Sequence, residues 1–395
     1  MKYIVFISRI FTGIIFTFSG FVKIIDPLGF TYKIGDYFAD SFAMPSLDVF
    51  SFPLAFGLAA LEFIIGVALL LNIKPRLTTL VSLFFMIVFL PLTFYIAMVP
   101  SLKSWFPETF SKINDLTDCG CFGDAIVMTN WQTFYKNLVI IIPVLIIFFY
   151  RKKMKPYFSS KKQWLILLGI IIATIGFETY NLWHLPVIDF RPYAVGNHLP
   201  DLMKIPEGMP TDVYKVYYTL ENTETGEKIK IDSEEYMNNE IYWDDPWTIT
   251  ETSDPVLVEK GYTPPIHDLT IVSKDGIDIT DDVLNNEGYY FWLVSYNIND
   301  ANTSNQDKIN KIAEYCMQNN IGFICLTASI DEHIEQYKNK THAPFDFYNT
   351  DEITLKTIIR SNPGLVLLKN GTVIAKWHYN DIPDIEKLKS KYLKL

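Results

Sequence analysis

The chain has 395 residues, 49% hydrophobic and 15% aromatic, with a net charge of −10. That charge is uneven: 15 Lys and Arg face 10 Asp and Glu through residue 186, then 19 face 34. The acidic second half offers nucleic-acid phosphates no cationic surface, which excludes a nucleic-acid partner, and the contrast between the halves predicts lipid around the first and water around the second.

A membrane-crossing helix needs about 20 mainly apolar residues. Five stretches meet that requirement, at about 3–25, 52–72, 77–99, 132–150 and 163–185. The first runs too long for a signal peptide and contains Arg9 and Lys23. It ends in "IIDPLGF" without a small-residue cleavage site, so it reads as a retained helix. The short links "IKPR" (73–76) and "RKKMKPYFSSKK" (151–162) are basic, and basic links stay in the cytoplasm. This predicts a multi-pass protein of the bacterial inner membrane, in contact with lipid, with its N-terminus cytoplasmic. Loops 26–51 and 100–131 then lie outside, and residues 187–395 are periplasmic.

Charges at membrane depth are costly and usually face a bundle interior. Arg9, two helical turns from the cytoplasmic end, has two readings: a snorkelling structural residue or a functional one. Glu62, in "AALEFIIGVALLL", has Arg9 or Lys23 as its simplest partner. It fits a buried ion pair that sets helix register, or a proton or quinone site.

Between the third and fourth stretches lies "DLTDCGCFGD" (115–124), which holds two of the four cysteines. Cysteines at i and i+2 close a bond only across a tight turn, and Gly120 supplies the backbone freedom for one. A bond closed under strain is easily reduced, which favours exchange over stapling. The loop around Cys119 and Cys121 is completed by Asp118, Phe122, Gly123 and Asp124. The two aspartates argue the other way, because negative neighbours raise thiol pKa. Three readings stand: a redox-active dithiol, a structural bond, or a metal site shared with the aspartates. The last uses an unusual donor set, since structural zinc prefers Cys and His at wider spacing.

The pattern "SRIFTGIIFTFSGFVKIIDPLGF" (8–30) and the Glu in "AALEFIIGVALLL" resemble the DoxX family, and "DCGCFGD" resembles its MauE branch. The resemblance covers roughly 1–150 and implies a four-helix membrane component of a redox or maturation pathway, often working with a thioredoxin-like partner. A membrane quinone near Glu62 is the electron acceptor considered for such a pathway.

Residues 151–186 read as a basic cytoplasmic linker and a fifth transmembrane helix. Residues 187–261 read as a β-rich segment: "VYKVYYTLENTETGEKIKIDSEEY" has two β runs around a glycine turn. From 262 the pattern is α/β. A hairpin is predicted around Asp275-Gly276 in "YTPPIHDLTIVSKDGIDITDDVL". A buried strand "YYFWLVSY" follows, then a helix with Ile309, Ile312, Ala313 and Cys316 on one face. The strand "IGFICLTA", a hairpin at Asn370-Gly371 and a terminal helix complete the order.

This stretch, 262–395, resembles the thioredoxin superfamily, in particular its TlpA-like and peroxiredoxin-like members. In "NPGLVLLKNG" the resemblance makes Pro363 a cis-proline. The position of the family's reactive cysteines reads "SYNINDANTSN", with no sulfur, so thiol exchange there is excluded. Cys316 and Cys325 lie on an apolar helix face and in a β run, as inert core residues or as a structural disulfide.

The expected function is passage of redox equivalents through Cys119 and Cys121 to a periplasmic thiol–disulfide partner or client protein. This would make the chain a component of a thiol–disulfide oxidoreductase, its degenerate thioredoxin-like domain binding partners. The competing expectation is a non-enzymatic, membrane-anchored assembly module in which the Cys-Gly-Cys bond is only a clip.

Overall fold

The computed structural model describes residues 1–116 and 118–393. Six helices occupy the first half: α1 (Lys2–Ile25), α2 (Pro27–Asp36), α3 (Ser51–Leu70), α4 (Pro75–Trp105), α5 (Asn130–Tyr150) and α6 (Ser160–Trp183). All but α2 belong to stretches long and apolar enough to cross a membrane, one of which begins at Pro45 just ahead of α3. The third is longer than expected: α4 runs through Pro91 and Pro100 to Trp105. Membrane helices tolerate such prolines because neighbouring groups satisfy the freed carbonyls.

Helices α1 and α3 pack backbone to backbone. A Cβ added at Gly20 would collide with the main chain of Phe63, and one at Gly66 with that of Thr17. Small residues permit this approach, and van der Waals contact holds membrane helices together where lipid removes the hydrophobic drive. The antiparallel register brings Lys23 of α1 against Glu62 of α3, with Nζ and Oε2 2.9 Å apart. Of the two partners expected for Glu62, Lys23 is the one that meets it. Arg9 lies near the far end of α1 and donates to the carbonyls of Leu69 (2.6 Å) and Leu70 (2.9 Å) in the last turn of α3.

By internal contacts the chain forms two compact units, Met1–Asn197 with Thr270–Leu395, and His198–Leu269. The smaller unit thus starts and ends later than the 187–261 expected. It holds α7 (Leu199–Leu202) and a ribbon of β1 (Val213–Lys215) with β5 (Val256–Glu259). It also holds an antiparallel sheet in which β2 (Tyr217–Asn222) lies between β3 (Lys228–Asp232) and β4 (Trp247–Thr252), with α8 (Ser233–Asn238) after β3.

In the larger unit, residues 187–197 run against the carboxy-terminal part. Gly196 and Asn197 exchange backbone hydrogen bonds with Val373, and Lys376 reaches Asp189 at 2.7 Å. The elements that follow are α9 (Thr280–Leu284), β6 (Tyr289–Val294), α10 (Gln306–Gln318), β7 (Gly322–Thr327), α11 (Asp331–Thr341) and β8 (Asp346–Asn349). Then come α12 (Glu352–Ile358), β9 (Gly364–Lys369), β10 (Thr372–His378) and α13 (Ile385–Lys391). The five strands form one sheet in the order β10-β9-β6-β7-β8. Strands β6, β7 and β8 are parallel, and β9 is antiparallel to both β6 and β10. Ile309, Ile312, Ala313 and Cys316 of α10 are buried against this sheet, where Phe291, Leu293 and Cys325 complete the core.

The expected hairpin at Asp275-Gly276 shrinks to a single bridge between Val272 and Asp278. Thr280 Oγ1 accepts the Ile271 N–H, and Asp278 accepts the Thr280 N–H, so the chain turns at once into α9. The second hairpin forms: Asn370 and Gly371 both take positive φ between β9 and β10, as a two-residue turn requires.

Candidate functional site

The loop from α4 to α5 is pinned at both sides of its tip. Asn114 bonds Asp40 through its main chain and side chain, and Asn130 Nδ2 donates to the Leu116 carbonyl at 2.7 Å. At the tip Asp118 Oδ1 accepts the Gly120 N–H at 2.7 Å, and Gly120 turns with φ +61°. A Cβ there would lie 2.7 Å from Lys33 Cγ, so space as well as φ calls for glycine. The turn brings Cys119 Sγ and Cys121 Sγ to 3.5 Å, two thiols in contact. Gly123 also has positive φ and donates to the Gly120 carbonyl at 3.0 Å, closing the turn.

Groups from three helices converge beneath the pair. Tyr37, just after α2, donates its hydroxyl to the Cys119 carbonyl and lies 3.2 Å from its sulfur. Lys23 Nζ reaches the Cys121 carbonyl at 2.5 Å and Ser19 Oγ at 2.8 Å, while holding Glu62. Ser19 donates to the same carbonyl at 2.8 Å. Lys136 of α5 sits over the Phe122 ring, 4.1 Å from its centre.

These neighbours drive the two thiols apart. Cys121 is lowered to about 6, first by the hydrogen bond from Cys119 and then by the Lys136 and Lys23 ammoniums, against its burial and the Glu62 charge. Cys119 is raised, first by that same bond and then by burial in an apolar cluster with Ile24, Phe30 and Ala59. The sequence argument that Asp118 and Asp124 would raise both thiols is therefore corrected for Cys121. The carboxylates point elsewhere, Asp118 to Lys33 at 3.2 Å and Asp124 to Arg360 at 3.4 Å, while cations face the sulfurs. No cluster of three or more His, Cys, Asp or Glu suited to a metal occurs among the described residues.

A cavity of about 40 Å³ lies between the sulfurs and the bundle core, lined by Lys23, Tyr37, Glu62, Lys136 and Asn137 among apolar side chains. It has room for water beside the sulfurs. The bundle also holds a group that sequence reading missed. Glu178 of α6 is fully buried, and neither carboxylate oxygen has a partner among the described residues. Its signal was plain enough, a lone acid in the apolar run "IIIATIGFETY".

Above the loop stands Arg360, at the end of the segment leading into β9. Its guanidinium reaches Asp26, the N-cap of α2, at 2.9 Å and donates to the Lys356 carbonyl. Burial alone would raise Asp26, but the charges of Arg360 and Arg191 and the Gly29 N–H outweigh it and hold the carboxyl low. The next residues turn through the cis Asn362–Pro363 peptide into β9. Asn362 ties that turn to the end of β6, accepting from Ser295 Oγ and donating to the Asn297 carbonyl, each at 2.7 Å. Cys316 and Cys325 are unbonded thiols in the sheet core, and burial pushes both far up, Cys316 to about 12.

A family model described as methylamine utilisation protein MauE matches residues 1–102. None of the curated proteins compared matches the chain. The MauE-like segment contains Arg9, Lys23, Tyr37 and Glu62 and stops before the Cys-Gly-Cys loop. It covers about a quarter of the sequence. Together with five helices of membrane-crossing length, it makes this a multi-pass membrane protein.

Proposed function

We propose that the protein carries out thiol–disulfide exchange through Cys119 and Cys121, as a membrane component of a redox or protein-maturation pathway. The observation that carries this reading is the contact pair itself: two sulfurs 3.5 Å apart, one low and one high in pKa. The thiolate is the attacking species in exchange, so Cys121 attacks and Cys119 resolves. In the reducing direction Cys121 Sγ⁻ bonds one sulfur of a partner disulfide and expels the other as a thiolate. Cys119 then gives up its proton and attacks Cys121 Sγ, forming the Cys119–Cys121 bond and releasing the second partner thiolate. Two electrons pass to the partner, and the reverse sequence oxidises a partner dithiol.

The cavity gives room for water to take the Cys119 proton, and Lys23 and Lys136 stabilise the thiolate. The partner is a periplasmic protein. Support for that placement comes from the basic links, which gather at the end of the bundle opposite the Cys-Gly-Cys loop. The carboxy-terminal sheet, with its cis-proline turn and no cysteine at the thioredoxin position, is a redox-inactive thioredoxin-like domain that holds the partner over the loop.

The test is capture of mixed disulfides in cells. Cys119→Ala leaves the attacking thiol without its resolving partner and accumulates a mixed disulfide; Cys121→Ala does not. If neither variant captures a protein and both restore a deletion strain, exchange is ruled out. A pair that stays oxidised throughout would instead mark a structural clip in a binding module.

A further inference from the structure

The end of the bundle opposite the Cys-Gly-Cys loop carries a second polar site, which the exchange reading does not use. A cleft of about 350 Å³ opens there between the start of α1, the α3–α4 link and the α5–α6 link. Lys2, Arg9, Lys153 and Lys155 line it, and no Asp or Glu does. Four cations around one concavity without a counter-charge raise the local potential and draw an anion in.

Arg9 is built into the floor. It is 3% exposed, with its guanidinium against the rings of Phe6 and Tyr157 at 5.4 and 5.5 Å. Three of the guanidinium's five N–H groups are taken, by the Leu69 and Leu70 carbonyls and the Tyr157 hydroxyl, leaving two donors among the described residues. Beside it Asn72 gives its amide N–H to the Lys155 carbonyl at 2.7 Å. Its Oδ1 is buried and has no partner among the described residues. The other walls are apolar, including Val5 and Met154.

We infer that this cleft binds a phosphate-bearing anion, and that the ligand is the phosphodiester headgroup of an anionic membrane lipid. Arginine and the lysines take the phosphate, Asn72 Oδ1 accepts a headgroup hydroxyl, and the apolar walls run alongside the acyl chains. A basic pocket between helix ends at the membrane surface is where such headgroups bind.

The test uses the full chain in nanodiscs of phosphatidylcholine, titrated with phosphatidylglycerol and read by native mass spectrometry and by melting temperature. The expected result is a retained phosphatidylglycerol and a raised melting temperature. In Lys153→Gln/Lys155→Gln, whose side chains are exposed, apparent affinity falls roughly fivefold per lysine and about thirtyfold for the pair. A second arm adds inorganic phosphate to the phosphatidylcholine sample. A shift in that arm alone keeps the anion site and overturns the lipid headgroup as its ligand. Equal behaviour in both lipids with or without phosphate, or a shift that the double variant keeps, overturns the inference. Cys119→Ala/Cys121→Ala should bind the lipid unchanged, so this site and the exchange reading fail separately.

Discussion

Arg360 Nε lies 2.9 Å from Asp26 Oδ2, joining the carboxy-terminal sheet to the junction between the first membrane helix and α2. The arginine side chain is 7% exposed and the aspartate 19%, so each depends on the other for compensation. Removing one partner of such a pair strands a charge, whereas replacing both with apolar residues does not. Arg360→Leu should cost about 3 kcal/mol, and Arg360→Leu/Asp26→Leu should recover part of it, the lost α2 cap and the Asp124 contact accounting for the rest. Thermal unfolding of the four proteins measures the difference; additive losses would show that the contact carries no coupling.

The same pair predicts a pH dependence. Asp26 is held below its ordinary value, so the stability it contributes is complete above the unfolded pKa of about 3.9. That stability is lost as pH falls through the lower, folded value. An acid titration of unfolding should show this loss in the wild type and its absence in Asp26→Asn.

The lowered Cys121 thiol should show itself in alkylation. With iodoacetamide, Cys121 should react before Cys119, its rate rising through pH about 6. Lys136→Gln removes an ammonium that favours the thiolate, and Cys119→Ala removes the hydrogen bond to it, so both should move the profile to higher pH. Identical profiles for the two cysteines would count against the assigned roles.

Lys23 and Glu62 form a buried pair within the bundle, their side chains 6% and 10% exposed. Lys23→Met should destabilise by roughly 3 to 5 kcal/mol, because Glu62 loses its counter-charge and the Cys121 carbonyl loses a donor. Lys23→Met/Glu62→Met should be closer to wild type in melting temperature. Should the double variant melt as low as the single, the carbonyl contact matters more than the ion pair.

At Gly120 the φ of +61° and the nearness of Lys33 both oppose a side chain. Gly120→Ala should cost about 1 to 2 kcal/mol of local strain and move the sulfurs apart. Exchange with glutathione should slow; an unchanged rate would mean the turn does not set the sulfur geometry.

Apolar length and alternation are local properties, and they determined the five membrane-crossing stretches, the buried face of α10 and the Asn370-Gly371 hairpin. Local composition also determined that Cys119 and Cys121 lie in a turn built on Gly120. What it left open was pairing. Arg9 and Lys23 were equivalent candidates for Glu62 until the close contact of α1 with α3, made through Gly20 and Gly66, set the register. The aspartates beside the thiols looked decisive because they are neighbours in sequence. The tertiary structure turned them to Lys33 and Arg360 and brought in Tyr37 and Lys23, 82 and 98 residues away from their cysteine contacts. The reason is physical: a segment's burial follows from its own side chains, whereas a thiol's charge state is set by the groups that packing brings within a few ångströms.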